Sequence, residues 1–272
     1  MAHAAGLPNP FYAMDTSFQR PGLTREQQFD LVKELGFAGI GWTEQAPEQV
    51  QLSVQEMEKR GLKMSAIYCA AKVTPAGQLT VSGNLRRIME VLKGHGTIIW
   101  LHIGGNGPAF STLQETDPLI KTLRELADKA AENDLRIAIY PHIGEWTGRF
   151  ADAVKLAKVV NHKAFGVSFN LCHALATGEE ASIPGLLEEA KPFLVTMTIC
   201  GADAGVSGGN WDKLIQTLDK GTYQVAGLLR KARQIGFTGP IGFQGYGIRG
   251  GAREILTPTM EAWKKLSAEA AK

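Results

Sequence analysis

The run Arg136-Ile137-Ala138-Ile139-Tyr140-Pro141-His142 is short, apolar and β-rich; it stops on a proline and delivers a histidine. The same event recurs along nearly the whole chain. Comparable runs are Phe11–Asp15, Phe37–Trp42 with Thr43 and Glu44 at its end, Leu62–Cys69, Thr97–His102, Phe165–Asn170, Phe193–Thr198 and Ile241–Gln244. Between them lie segments whose apolar residues return every three or four positions: Phe29, Val32 and Leu35, then Val50, Val54 and Met57, then Leu85, Ile88, Met89 and Leu92. That spacing predicts a helix with one buried face. The second half continues the pattern with Leu119, Leu123 and Leu126, Val154, Leu156 and Val159, Leu186 and Leu187, Leu228 and Leu229, and a last helix around Leu256–Leu266. Thr24-Arg25-Glu26-Gln27 has the form of a helix-starting box. Eight strand–helix alternations with short connections predict the α/β class, a parallel sheet closed as a (β/α)8 TIM barrel. A doubly wound open sheet fits less well, because no G-x-G-x-x-G follows the first strand.

Composition limits the partners. The chain of 272 residues is 44% hydrophobic, enough to bury one large core, and no linker divides it, so residues 1–272 read as a single domain. Its 29 basic and 27 acidic residues are spread without long runs and leave a formal charge of +2, which argues against nucleic acid and anionic membrane surfaces as partners. No stretch of about 18 apolar residues predicts a membrane span. The amino terminus, with His3, lacks the charged start and apolar run of a leader. The chain therefore reads as cytoplasmic, or as exported with its leader absent from this sequence. Cys69, Cys172 and Cys200 show no C-x-x-C spacing and are expected to be reduced. A homo-oligomer is compatible with the sequence.

In a barrel of this kind the active site lies at the carboxyl ends of the strands. The residues there are Asp15, Glu44, Lys72, His102, Tyr140 with His142, Asn170 with His173, Thr198 and Gln244. Three of the six histidines fall at the mouths of neighbouring strands, whereas His95 and His162 fall at helix ends. The simpler alternative stands beside each. Asp15 and Glu44 could stabilise the helices that follow, by ~0.3–1 kcal/mol, and Lys72 could be an ordinary surface lysine. Trp42, Trp100 and Trp146 are candidates for walls on which a sugar stacks, or aromatics buried in the rim.

Tyr140-Pro141-His142-x-Gly144, Gly166 through Ala174, Gly201-Ala202-Asp203, Trp211 through Gln216 and Gly239 through Gly247 together resemble the xylose isomerase-like barrel superfamily. The resemblance spans the first strand to the last helix and is nearest to a sugar-phosphate isomerase/epimerase subgroup; the superfamily also contains enzymes of the AP endonuclease IV type. It implies a TIM barrel and abstraction of a proton alpha to a carbonyl. Sugar isomerases and epimerases of the superfamily hold one divalent cation with Glu, Asp, His and Glu at the ends of strands five to eight. The matching places here carry Tyr140, Asn170, Thr198 and Gln244, none of them formally charged. Hard cations want anionic oxygen ligands. The resemblance therefore implies either no metal or one divalent ion (Zn, Mn, Co or Mg) in a non-standard site built from His142, Asn170, His173 and Gln244, with His102 or Glu145 in reach.

Three functions follow. The first is isomerisation or epimerisation of a sugar or keto-sugar, with His142, His173 or Glu44 moving the proton, since an imidazole ordinarily titrates near pH ~6.5. His102, Tyr140, Asn170, Thr198, Gln244, Lys72 and Arg249 would bind the carbohydrate, the two cations holding an enolate, phosphate or carboxylate. The second is a lyase or hydratase acting on an oxidised, keto-glycoside substrate. The third is a non-catalytic carbohydrate-binding barrel. DNA repair of the endonuclease IV type is disfavoured by the near-neutral charge and by too few ligands for a multi-zinc cluster.

Overall fold

The computed structural model describes residues 6–272, so His3 lies outside the described residues. The first half of the chain runs β1 (Phe11–Met14), α1 (Arg25–Glu34), β2 (Gly39–Thr43), α2 (Pro47–Lys59), β3 (Lys63–Val73), β4 (Leu79–Val81), α3 (Leu85–Val91), β5 (Ile98–Gly105) and α4 (Pro118–Glu132). The second half runs β6 (Arg136–Ile139), α5 (Phe150–Val160), β7 (Phe165–Asn170), α6 (Leu171–Ala176), α7 (Ile183–Ala190), β8 (Leu194–Ile199), α8 (Trp211–Leu214), α9 (Val225–Gln234), β9 (Ile241–Phe243) and α10 (Ala252–Ala270). The sheet order is β2-β1-β9-β8-β7-β6-β5-β3-β4, and β2 also pairs with β3. That last pairing closes eight parallel strands into a barrel; β4 stands outside it as an antiparallel hairpin partner of β3. The fold is the expected (β/α)8 TIM barrel.

Local chemistry sets the elements. Thr24 caps α1 with a reciprocal box: its hydroxyl accepts from the Gln27 N–H at 3.2 Å, and the Gln27 side chain accepts from the Thr24 N–H at 2.9 Å. Helix faces carrying Phe29, Val54, Met89, Leu123 and Leu187 pack on the outer side of the strands in one continuous core. Cys69, Cys172 and Cys200 are buried there as free thiols. The barrel interior is a second, aromatic cluster of Tyr12, Met14, Trp100, Tyr140 and smaller residues, with Tyr68 packed against it. It forms a ladder from floor to mouth: Tyr12 and Trp100 rings lie 6.1 Å apart, Trp100 and Tyr140 4.9 Å. Room for it comes from Gly242, where a Cβ would meet the Tyr12 ring at 2.4 Å.

Three departures from the expected elements bear on the site. Strand β3 continues past Cys69 to Val73 and folds back on β4, so Lys72 sits in a strand rather than a loop. Strand β6 ends at Ile139; the Tyr140 N–H still bonds to Leu101 O at 2.9 Å, after which Pro141 has no N–H to offer. Helix α6 follows β7 without an intervening loop. Among the described residues no helix is long and apolar enough to cross a membrane.

Candidate active site

A cavity of about 350 Å³ opens at the carboxyl ends of the strands, a volume suited to a small ligand. Its lining includes Thr16, Thr43, Tyr68, Tyr140, His142, His173, Trp211, Gln244 and Tyr246. Four residues singled out from the sequence thus meet in one place, and Asn170 lies beside them, bonded to Tyr140.

His142 is delivered by the turn after β6. Its N–H bonds to Thr147 O at 3.2 Å and its carbonyl accepts from the Glu145 N–H at 3.0 Å, with Gly144 at φ +85°, a conformation that glycine reaches without a Cβ clash. His173 stands in the first turn of α6, so the register of β7 fixes it. The two rings lie 4.3 Å apart between centroids. Their hydrogen bonds assign their tautomers. His142 Nδ1 faces Ile143 O at 2.9 Å and must donate, which leaves Nε2 with a free lone pair. His173 Nδ1 accepts from the Ile143 N–H at 3.5 Å, so in the neutral ring Nε2 carries the proton. Burial, reinforced by the neighbouring His142, pushes the His173 pKa down to about 3, and its ring remains neutral. One imidazole offers a base, the other a donor.

Below them the Tyr140 hydroxyl receives two amide N–H groups, one from Asn170 and one from Gln244 at 3.2 Å. The Asn170 oxygen accepts from the Cys172 thiol, and the Gln244 oxygen from the Thr16 hydroxyl and the Tyr246 N–H. This arrangement does not fit a divalent cation at the place where the superfamily holds one. The two amides turn hydrogens, not carbonyl lone pairs, toward the centre, and no carboxylate joins them. Among the described residues no three His, Cys, Asp or Glu side chains cluster so as to hold a metal ion. The imidazole-based alternative, His142, Asn170, His173 and Gln244, meets the same obstacle: only His142 Nε2 presents a lone pair.

The remaining candidates lie elsewhere. Glu44 is outside the cavity, half-buried, and accepts the Ser82 hydroxyl; its neighbour Thr43 lines the cavity instead, since successive strand residues face opposite ways. Lys72 is exposed on β3 beyond the mouth. Thr198 pairs with Asn170 across β7 and β8 but is fully buried, its hydroxyl on Phe169 O at 3.5 Å, and does not line the cavity. His102 stacks on Tyr68 at 4.4 Å with Nδ1 3.5 Å from Glu145, one ring removed from the cavity, and burial lowers its pKa despite that carboxylate. Arg249 is exposed in a neighbouring groove that shares Trp211, Ile215 and Tyr246 with the cavity. Asp15 is buried and holds β1 to β2, accepting from the Thr43 N–H at 2.9 Å and the Thr16 N–H at 2.7 Å. Trp42 and Trp100 are buried, and Trp146 packs on Phe110 while donating to Pro108 O, so none of the three is a wall. Trp211 lines the cavity instead, T-shaped against His173 with ring centroids 5.6 Å apart. Tyr68, Trp211 and Tyr246 were not among the sequence candidates; for Tyr68 the signal was its alternation with Ala66 along β3.

A sequence profile described as xylose isomerase-like TIM barrel matches residues 29–266. The chain belongs to the xylose isomerase-like TIM barrel family. Solved structures similar to this family member include a probable 3-DHS dehydratase from Bacillus anthracis, 12% identical with a TM-score of 0.68, covering 92% of this chain and 97% of that one. A 3-keto-D-glucoside 4-epimerase from E. coli is 15% identical with a TM-score of 0.63 over 94% of this chain and 99% of its own. The IOLI protein with a binding zinc atom is 14% identical with a TM-score of 0.69, covering 96% of this chain and 97% of that one. No curated protein matches the chain.

Proposed function

We propose that the chain is a carbohydrate enzyme, an isomerase or epimerase that removes a proton from the carbon next to a carbonyl of a sugar or keto-sugar and returns it. The observation that carries this reading is the imidazole pair with opposed tautomers over one cavity. His142 Nε2 is the base. The Nε2–H of His173 is a fixed donor for a substrate oxygen, neutral at working pH because its site excludes the charged form. A keto-glucoside epimerase and a dehydratase among proteins of the same fold support a sugar-like substrate with an activated C–H bond. In this reading imidazole alone moves the proton, because the amide N–H groups at the superfamily's metal place do not suit a cation.

A second reading, a lyase or hydratase acting on an oxidised glycoside, is favoured by the groove that continues from the cavity past Trp211 and Tyr246, which leaves room for an aglycone. The two are separated by one experiment. Protein is incubated in deuterium oxide with a panel of keto-sugars and their glycosides, and exchange at the alpha carbon is followed by NMR. Exchange is expected for at least one member of the panel and is expected to vanish in His142→Gln; release of an aglycone selects the lyase. Sugars that bind without any exchange would leave only a binding protein.

A further inference from the structure

The Tyr140 hydroxyl is the most constrained polar group of the site. A phenol oxygen has two acceptor positions and one proton. Both acceptor positions are filled, by the side-chain N–H groups of Asn170 and Gln244. The direction of the Gln244 bond is set from outside. The Tyr246 backbone N–H, which can only donate, reaches Gln244 Oε1 at 3.3 Å, so the other half of that amide, facing Tyr140, is its NH2 group. The Thr16 hydroxyl adds a second donor to the same oxygen at 3.1 Å, and Asn170, its Oδ1 3.1 Å from the Cys172 thiol, likewise presents its NH2 group to Tyr140. Among the described residues nothing accepts the phenol's own proton, and Tyr140, 2% exposed, borders the cavity.

The geometry points to Tyr140 as the electrophile of the reaction: its O–H donates to the substrate's carbonyl oxygen as that oxygen becomes an enolate, the part a cation would otherwise take. This rests on the proton-abstraction reading above. In the step, the C–H bond breaks toward His142 Nε2, its electron pair forms the C=C bond, and the carbonyl π pair moves onto oxygen, where it meets the Tyr140 O–H. Tyr140 keeps its proton throughout. Return of the proton from His142 to the neighbouring carbon, as the second oxygen passes its O–H proton to the first and becomes the new carbonyl, completes an isomerisation with no oxidant or co-reactant consumed; return to the original carbon is the exchange that the test reads. Two amide donors on the phenol oxygen draw charge from the O–H bond and strengthen it as a donor, and bonds in such a chain reinforce one another. Burial raises the phenol pKa, which keeps the proton in place. The Tyr140 and His142 rings lie 6.2 Å apart between centroids, close enough for both to reach one small substrate. A donor of this type acts without reorganising, because Asn170 and Gln244 hold it before substrate arrives.

The test uses deuterium exchange with the keto-sugar panel, with and without exhaustive chelation. Wild-type exchange is expected to survive chelation, and Tyr140→Phe is expected to slow it roughly a hundred- to a thousand-fold, the usual loss on removing one oxyanion donor. Because Tyr140→Phe strands two buried amides, a second protein carries 3-fluorotyrosine at position 140, which preserves the shape and both bonds while making the phenol more acidic. Its exchange rate must differ from that of wild type. The proposal is overturned if Tyr140→Phe exchanges at the wild-type rate, if the fluorinated protein is indistinguishable from wild type, or if chelation abolishes exchange and added Mn2+ or Zn2+ restores it. Absence of exchange in the wild-type protein itself would instead remove the proton-abstraction reading and this inference with it.

Discussion

Acid should destabilise this protein through its buried histidines, His173 above all. His173 is 5% exposed, its Nδ1 already occupied by the Ile143 N–H, and its folded pKa is about 3. In the unfolded chain a histidine titrates near pH ~6.5. Above that value the ring is neutral in both states and the difference costs nothing. As pH falls below it, the unfolded state takes up a proton that the folded state refuses, so stability declines until the folded pKa is reached. Down to pH 5 the window spans about 1.5 pH units, which at 1.36 kcal/mol per unit is about 2 kcal/mol. The full window to pH 3 corresponds to about 5 kcal/mol, comparable with the whole stability of many domains. The perturbation is His173→Gln, which removes the titration while leaving an acceptor for the Ile143 N–H. Urea unfolding at pH 7.5 and pH 5 measures it: wild type is expected to lose about 2 kcal/mol more than the variant over that interval. NMR titration of the labelled imidazole reads the same quantity directly. Parallel pH profiles for the two proteins, or an imidazole that titrates near pH 6, would refute the reasoning.

Glu179 is buried and accepts the Phe150 and Ala151 N–H groups at the start of α5, each at 3.0 Å, and the Thr177 hydroxyl at 2.8 Å. Glu179→Ala leaves those donors unpaired and is expected to cost about 3 kcal/mol in chemical denaturation. Gly242→Ala drives a Cβ into the Tyr12 ring and is expected to lower stability by roughly 1–3 kcal/mol in chemical denaturation. Tyr246 is 64% exposed, so Tyr246→Ala should leave thermal stability within about 0.5 kcal/mol of wild type while weakening binding of glycosides more than of free sugars in calorimetry.

The barrel was legible because its strands and helices have different hydrophobic periods, and the period survives even where the boundaries shift. The hairpin of β3 and β4 was not, since Cys69-Ala70-Ala71-Lys72-Val73 is too weakly patterned to distinguish a continuing strand from a loop. Tyr140, His142, Asn170, His173 and Gln244 meet at one cavity because each lies within three residues of the end of a strand, where the position of the side chain still follows the strand's register. Glu44 lies one step of that register away from the cavity: Thr43 lines it and its successor does not. Trp211 and Tyr246 come from segments after β8 and β9 whose path no local pattern fixes. The tautomers, and the turning of two amides toward a phenol, depend on contacts between residues 104 or more positions apart in one case, and sequence does not display them.

The absence of any loop between β7 and α6 has a further consequence. His173 is mounted on the frame of the barrel, and Glu179, at the far end of the same short segment, ties that frame to α5. Trp211 and Tyr246, by contrast, ride on a four-residue helix and an exposed turn. In the function proposed above, the fixed donor His173 and the recognition surface thus sit on separate mountings. Substrate preference can drift, or be engineered, by altering the rim alone, while the imidazoles and the phenol beneath them stay in register.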